Sequence, residues 1–232
     1  MSLTRILLVI SALALIGACN DATPPDLPQN DITGLVVDAL GQPVAGATVV
    51  LQLATDRPMY VSPDKPQTHI EWSQPEAGNV KLWISSYCDG DVLRMIADGY
   101  CPAGEGELSW DGMNDAGLVM PDGVYRYHLV TEAGESTGSF PYFHLGYGGL
   151  DDDASLAPEA ITDMQGGFRL AQTCLPFGFA FDSVDGTGEP ISTITITRSV
   201  RVWAFSGDVY GTSVSVTVSP DTGADVTVTM IQ

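Results

Sequence analysis

Apolar and polar residues alternate along short runs, and this period of two is what most constrains the fold of the chain. Val214, Val216 and Val218 fall on one side of an extended backbone, while Ser213, Ser215 and Thr217 fall on the other. Val226, Val228 and Met230 repeat the pattern. No stretch shows a helical period. Strand-like runs recur at residues 34–38, 47–53, 80–85, 92–96, 123–130, 191–197, 200–205, 213–218 and 225–230. Turn signals stand between them: Gly41-Gln42-Pro43, Asp89-Gly90, Pro121-Asp122-Gly123, Asp185-Gly186 and Pro220-Asp221. Short amphipathic strands at such spacing predict an all-β chain made of two β-sandwiches.

The first twenty residues read differently. Arg5 supplies a positive start, and residues 6–18 are apolar except for Ser11 and the glycine before Ala18. A membrane-spanning helix needs roughly 20 apolar residues, so this stretch reads as an export signal. Its end, Leu15-Ile16-Gly17-Ala18-Cys19, resembles the lipobox of bacterial lipoproteins. That resemblance implies removal of residues 1–18, diacylglycerol on the Cys19 sulfur, and a membrane as partner through the lipid. Asn20, rather than Asp, follows the cysteine, so the expected location is the cell envelope, at the outer membrane before the inner. Residues 19–30 carry three prolines and read as a spacer.

Two further resemblances cover most of the remainder. The run Gly34-Leu-Val-Val-Asp38-Ala-Leu-Gly41-Gln-Pro43-Val44-Ala-Gly46-Ala47-Thr-Val49-Val-Leu51 resembles the opening hairpin of carboxypeptidase regulatory-like domains, which have a transthyretin-like fold. Asp38 and Gly41 would make the reversal, and Pro43 would set the backbone after it. The next piece of that pattern comes only at Ile161-Thr162-Asp163-Met164-Gln165-Gly166-Gly167-Phe168. In the gap, Trp110-Asp111-Gly112-Met-Asn114-Asp115-Ala-Gly117 and Pro121-Asp122-Gly123-Val-Tyr125-Arg-Tyr127 resemble the Ig-like domain of the flagellar hook-capping protein. Trp110 and Tyr125 would be its core anchors. The hook scaffold itself is missing, so fold carries over and the flagellar role does not.

An isolated hairpin is marginal in water. Residues 31–57 are therefore expected to complete their transthyretin-like sandwich with residues 161–232. Residues 68–145 would form an inserted Ig-like sandwich, followed by a linker at 146–160. The host core is expected to be complete without the insert.

Nine Lys+Arg against 29 Asp+Glu give a net charge of −20. Such a charge repels nucleic acid, which is excluded as a partner, and suits either a hydrated exterior or a cation. The histidines, His69, His128 and His144, show no HExxH spacing, and no Gly-x-Ser-x-Gly elbow is present. No enzyme, catalytic residue or cofactor is expected. The expected role is structural or binding, without catalysis. The alternative is a surface protein that binds carbohydrate or calcium through residues 140–153, with a protein or glycan as partner. Tyr142, His144 and Tyr147 would then offer an aromatic platform, and Asp151, Asp152 and Asp153 would offer carboxylates to calcium. A small hydrolase is a remote third reading. Asp111, Asn114, Asp115 and Asp122 depart from EF-hand spacing, and turn formation explains them. Cys88 and Cys101 fall in one Ig-like segment and are expected to pair, leaving Cys174 as the odd thiol.

Overall fold

The computed structural model describes residues 31–58, 68–143, 156–184 and 189–231. The chain opens with β1 (Ile32–Val37) and β2 (Thr48–Thr55). Six strands follow: β3 (His69–Gln74), β4 (Gly78–Ser86), β5 (Val92–Cys101), β6 (Gly104–Ser109), β7 (Gly123–Thr131) and β8 (Gly134–Tyr142). After them come β9 (Ala160–Ile161), β10 (Gly167–Leu170), a 3-10 turn at Gln172–Cys174, β11 (Ala180–Val184) and β12 (Pro190–Ser206). The last are β13 (Val209–Gly211), β14 (Val214–Thr217) and β15 (Ala224–Ile231). The fold is all-β, as the alternation predicts.

The two ends of the chain share one sheet. Its path runs β10-β1-β15-β13-β12-β2-β9, with β11 and β14 also paired to β12. β1 runs parallel to β15, with Ile32 opposite Ala224 and Val37 opposite Thr229. β2 runs antiparallel to the second half of β12, with Thr48 opposite Phe205. Among the described residues, the short β13 pairs with both halves, through Tyr210 to Phe205 and Gly211 to Met230. The halves pack face to face. Ile32, Val36, Phe168, Val226, Val228 and Met230 from one meet Val49, Leu51, Leu53, Val200, Val202 and Ala204 from the other in a single buried cluster. Each of the larger of these side chains contributes about 1.5–3 kcal/mol by leaving water.

Strands β3 to β8 form a second sandwich, with a β3-β6 pair on one side and a β5-β4-β7-β8 sheet on the other. Its buried cluster is Ile70, Val80, Leu82, Ile84, Trp110, Tyr125, Leu129 and Phe140. The Trp110 ring lies edge-on to Tyr125 at 4.9 Å and to Phe140 at 5.8 Å. Polar atoms on both anchors are satisfied locally: Trp110 Nε1 donates to the Met113 carbonyl and the Tyr125 hydroxyl to the Pro121 carbonyl, each at 2.7 Å. The second of these is a tyrosine corner of the Ig type.

One turn device serves both sandwiches. Asp38 Oδ1 accepts the N–H groups of Leu40 and Gln42, and Asp163 Oδ1 accepts those of Gln165 and Gly167. Asn114 Oδ1 does the same with Ala116 and Leu118. In each, the residue three on is a glycine at φ between 75° and 77°: Gly41, Gly117 and Gly166. The side chain closes the turn and the glycine supplies the left-handed backbone.

The expectation of a host core complete without the insert needs correction. Val124 of β7 is buried in the host cluster, with Tyr87 and Phe143 packed against it. Val124 and Tyr125 are neighbours on one strand, so their side chains point opposite ways. One fills the host core and the other its own.

Candidate functional site

Among the described residues, a cleft of about 350 Å³ lies where the sandwiches meet. The inserted sandwich lines it with the stretch from Ser86 to Asp89, with Asp91, and with residues 120–125. The host contributes Leu53, Glu159, Arg169, Leu170 and the segment from Cys174 to Pro176.

A disulfide closes one wall, and it corrects the expected pairing. Cys88 is bonded to Cys174, with Cα atoms 4.5 Å apart, and among the described residues Cys101 is the free thiol. The reason lies in the register of β4 and β5. Cys101 stands opposite Gly78 at the start of β4, whereas Cys88 lies just beyond its other end. Eight residue steps along a strand separate the two by roughly 26 Å, far beyond the reach of a disulfide. Next to the bond, the Tyr87 ring meets Phe179 of the host edge-on at 6.3 Å, and the Arg126 guanidinium covers Tyr87 at 4.8 Å. Phe143 lies 6.0 Å from Phe181 of β11.

The floor of the cleft is acidic. Glu159 keeps part of its surface toward the opening, and its Oε2 accepts the Leu51 N–H of β2. Burial pushes its carboxyl well above the usual glutamate range; the Leu51 N–H opposes this, and the charge of Asp122 adds to it. Asp122 is itself buried. The Tyr125 hydroxyl is pushed well up by burial and by Glu159 and Asp122. Tyr142 is pushed up to about 12 by burial, then by Asp122 and Asp111. At the rim, Asp89 is held low by the Asp91 N–H, and Arg169 is engaged with Asp31. Burial thus disfavours the charged form of Glu159, Tyr125 and Tyr142 alike. The cleft thus lies along a joint held by Val124 and the Cys88–Cys174 bond.

Of the residues nominated from sequence, some serve packing and others lie outside the described residues. Tyr142 is partly buried, its ring 5.1 Å from Trp110 and 6.0 Å from Tyr125, so it serves the Ig-like core. His144, Tyr147, Asp151, Asp152, Asp153 and Cys19 lie outside the described residues. Asp111 Oδ1 accepts the Met113 N–H, and both Asp111 and Asp115 pair with Arg94. His128 stacks flat on Trp83 at 4.9 Å and meets the Ser85 hydroxyl at 2.8 Å. Ser85 is fully buried and His128 partly so.

Comparison with known proteins bears on one of the two sandwiches. No curated protein matches the chain. A solved structure, that of FLGD from P. aeruginosa, is 23% identical over a match covering 42% of this chain and 70% of that one, with a TM-score of 0.27. Residues 64–135 match the family described as the FlgD Ig-like domain, so it is the inserted sandwich that is similar to that family.

Proposed function

We propose that this chain is an exported lipoprotein, held at the cell envelope by a lipid on Cys19, whose two sandwiches act as one stiff, non-catalytic body with a structural or binding role. The observation that carries the reading is the joint. Val124 enters the host core, and Cys88–Cys174 ties the insert to the host across it. A bond of this kind persists in oxidising compartments and is rare in the cytosol, which agrees with the export signal at residues 1–18. Stable anchoring needs more than one acyl chain, as lipoproteins of this class carry. The excess of acidic over basic residues keeps such a body clear of anionic lipid surfaces and nucleic acid.

Expression in a Gram-negative host, membrane separation on a density gradient and intact-mass analysis test the reading. The expected product lacks residues 1–18, carries diacylglycerol on Cys19 and travels with outer membranes. Cys19→Ser should release it into the soluble fraction. An unmodified Cys19, or a retained leader, overturns the proposal.

A further inference from the structure

We infer that His69, Glu71 and Glu107 form a binding site for a divalent transition-metal ion of the zinc type, on the outer face of the β3-β6 pair. The ladder sets the geometry. Glu71 stands directly opposite Glu107, and His69 directly opposite Ser109. The two-residue period of β3 brings His69 and Glu71 to the same side. His69 Nε2 lies 3.1 Å from Glu71 Oε1 and 3.5 Å from Glu107 Oε2. The three donor atoms all fall within 4.8 Å of one another.

Zinc bonds of about 2.0–2.2 Å in a tetrahedron place neighbouring ligand atoms roughly 3.3 Å apart. The two measured distances from the imidazole bracket that value. The other ring nitrogen, Nδ1, is 3.1 Å from the Ser109 hydroxyl. A hydrogen bond there fixes the ring plane and leaves the Nε2 lone pair aimed between the carboxylates, which is how metal-binding histidines are oriented. One imidazole with two carboxylates suits zinc better than calcium or magnesium, which prefer oxygen alone. Water would complete the shell, because both glutamates are exposed.

Electrostatics favour an occupant. Like charges directly opposite on a ladder destabilise it. Glu105, two residues before Glu107 on β6, adds a third carboxylate to the same side. Among the described residues, the basic side chain in contact with Glu71 and Glu107 is His69 alone. A bound cation would cancel the repulsion and join β3 to β6, the smaller sheet of its sandwich and one with only two strands. The site would thus act as a staple at the point where the inserted sandwich begins.

Calorimetric titration of the purified protein with zinc chloride tests this. A single zinc is expected to bind and to raise the melting temperature. His69→Gln should abolish the heat, and Glu107→Gln should weaken binding by roughly tenfold or more. Glu105→Gln, outside the ligand set, should leave affinity within about twofold, the usual effect of an exposed substitution of this kind. X-ray absorption at the zinc edge of the unsubstituted protein gives a readout independent of variant folding, expected to show nitrogen and oxygen ligands and no sulfur. No zinc binding, binding that survives His69→Gln, or a sulfur ligand such as Cys101 overturns the proposal.

Discussion

Cys88 and Cys174, 86 residues apart in sequence, are joined across the line where one sandwich meets the other. The bond closes a loop that contains most of the inserted sandwich, so it limits how far the unfolded chain can expand. The chain-entropy treatment puts its contribution at about 4.5 kcal/mol at most for a loop of that size. Replacing both cysteines with serine should lower the midpoint of urea unfolding without changing the strand signal in circular dichroism. Non-reducing peptide mapping should recover the Cys88 and Cys174 peptides as one mass, with Cys101 open to alkylation. A Cys88–Cys101 peptide would show the register argument to be wrong.

Glu159 makes stability depend on pH in a defined direction. Burial raises its folded pKa above the ordinary value of 4.5. Between 4.5 and the raised value, the folded state holds a proton that the unfolded state has released, so stability falls as pH rises through that window. Below the window both states are protonated and the penalty vanishes. Glu159→Gln keeps an oxygen for the Leu51 N–H and removes the charge. It should stabilise the protein by about 1 kcal/mol at pH 7.5, a gain of roughly 2–4 °C in melting temperature, and by almost nothing at pH 4.5. Equal destabilisation at both pH values would mean that the hydrogen bond outweighs burial of the charge.

Gly41 and Gly166 occupy the same position of the same turn, at φ 77° and 75°, but in different surroundings. A Cβ at Gly41 would meet nothing within 4 Å, whereas one at Gly166 would stand 2.6 Å from the Val36 carbonyl and 3.1 Å from the Val44 nitrogen. Gly41→Ala should cost only the left-handed backbone penalty, about 1–2 kcal/mol. Gly166→Ala should cost clearly more, because backbone must shift as well. Chemical unfolding of the two variants checks this, and equal losses would show that the packing difference is immaterial.

What the sequence revealed follows from the range of each interaction. Alternation is local, and Val226, Val228 and Met230 are buried with Asp225, Thr227 and Ile231 exposed beside them. Turn chemistry is local too, so Asp38 and Gly41 could be read as the reversal they form. Trp110 and Tyr125 were legible as anchors because the turn residues around them fix their frame. The cysteine pairing was not, since it depends on which end of β4 each thiol reaches. Nor was the His69 cluster: His69 and Glu71 two apart on a strand gave half of it, but Glu107 enters only through the register with β6. Val124 gave no signal at all, because nothing local distinguishes an apolar residue that fills its own core from one that fills a neighbour's.

Val124 is where the two sandwiches become one cooperative unit, and that can be measured. It is 4% exposed and belongs to the host cluster although its strand belongs to the insert. Truncation to alanine should cost about 1–3 kcal/mol through lost burial and a cavity. Val124→Asp would place a carboxylate in the host's apolar cluster and should separate the domains while leaving Tyr125 in its own core. Three of the four tryptophans, Trp72, Trp83 and Trp110, lie in the insert, and Trp203 lies in the host. In a Trp203→Phe background, fluorescence therefore reports the insert alone, while far-ultraviolet circular dichroism reports both sandwiches. With Val124 and the disulfide intact, the two signals should trace one transition in urea. In Val124→Asp with Cys88 and Cys174 replaced by serine, they should part into two. Coincident curves in that variant would show that Val124 and the disulfide do not carry the coupling.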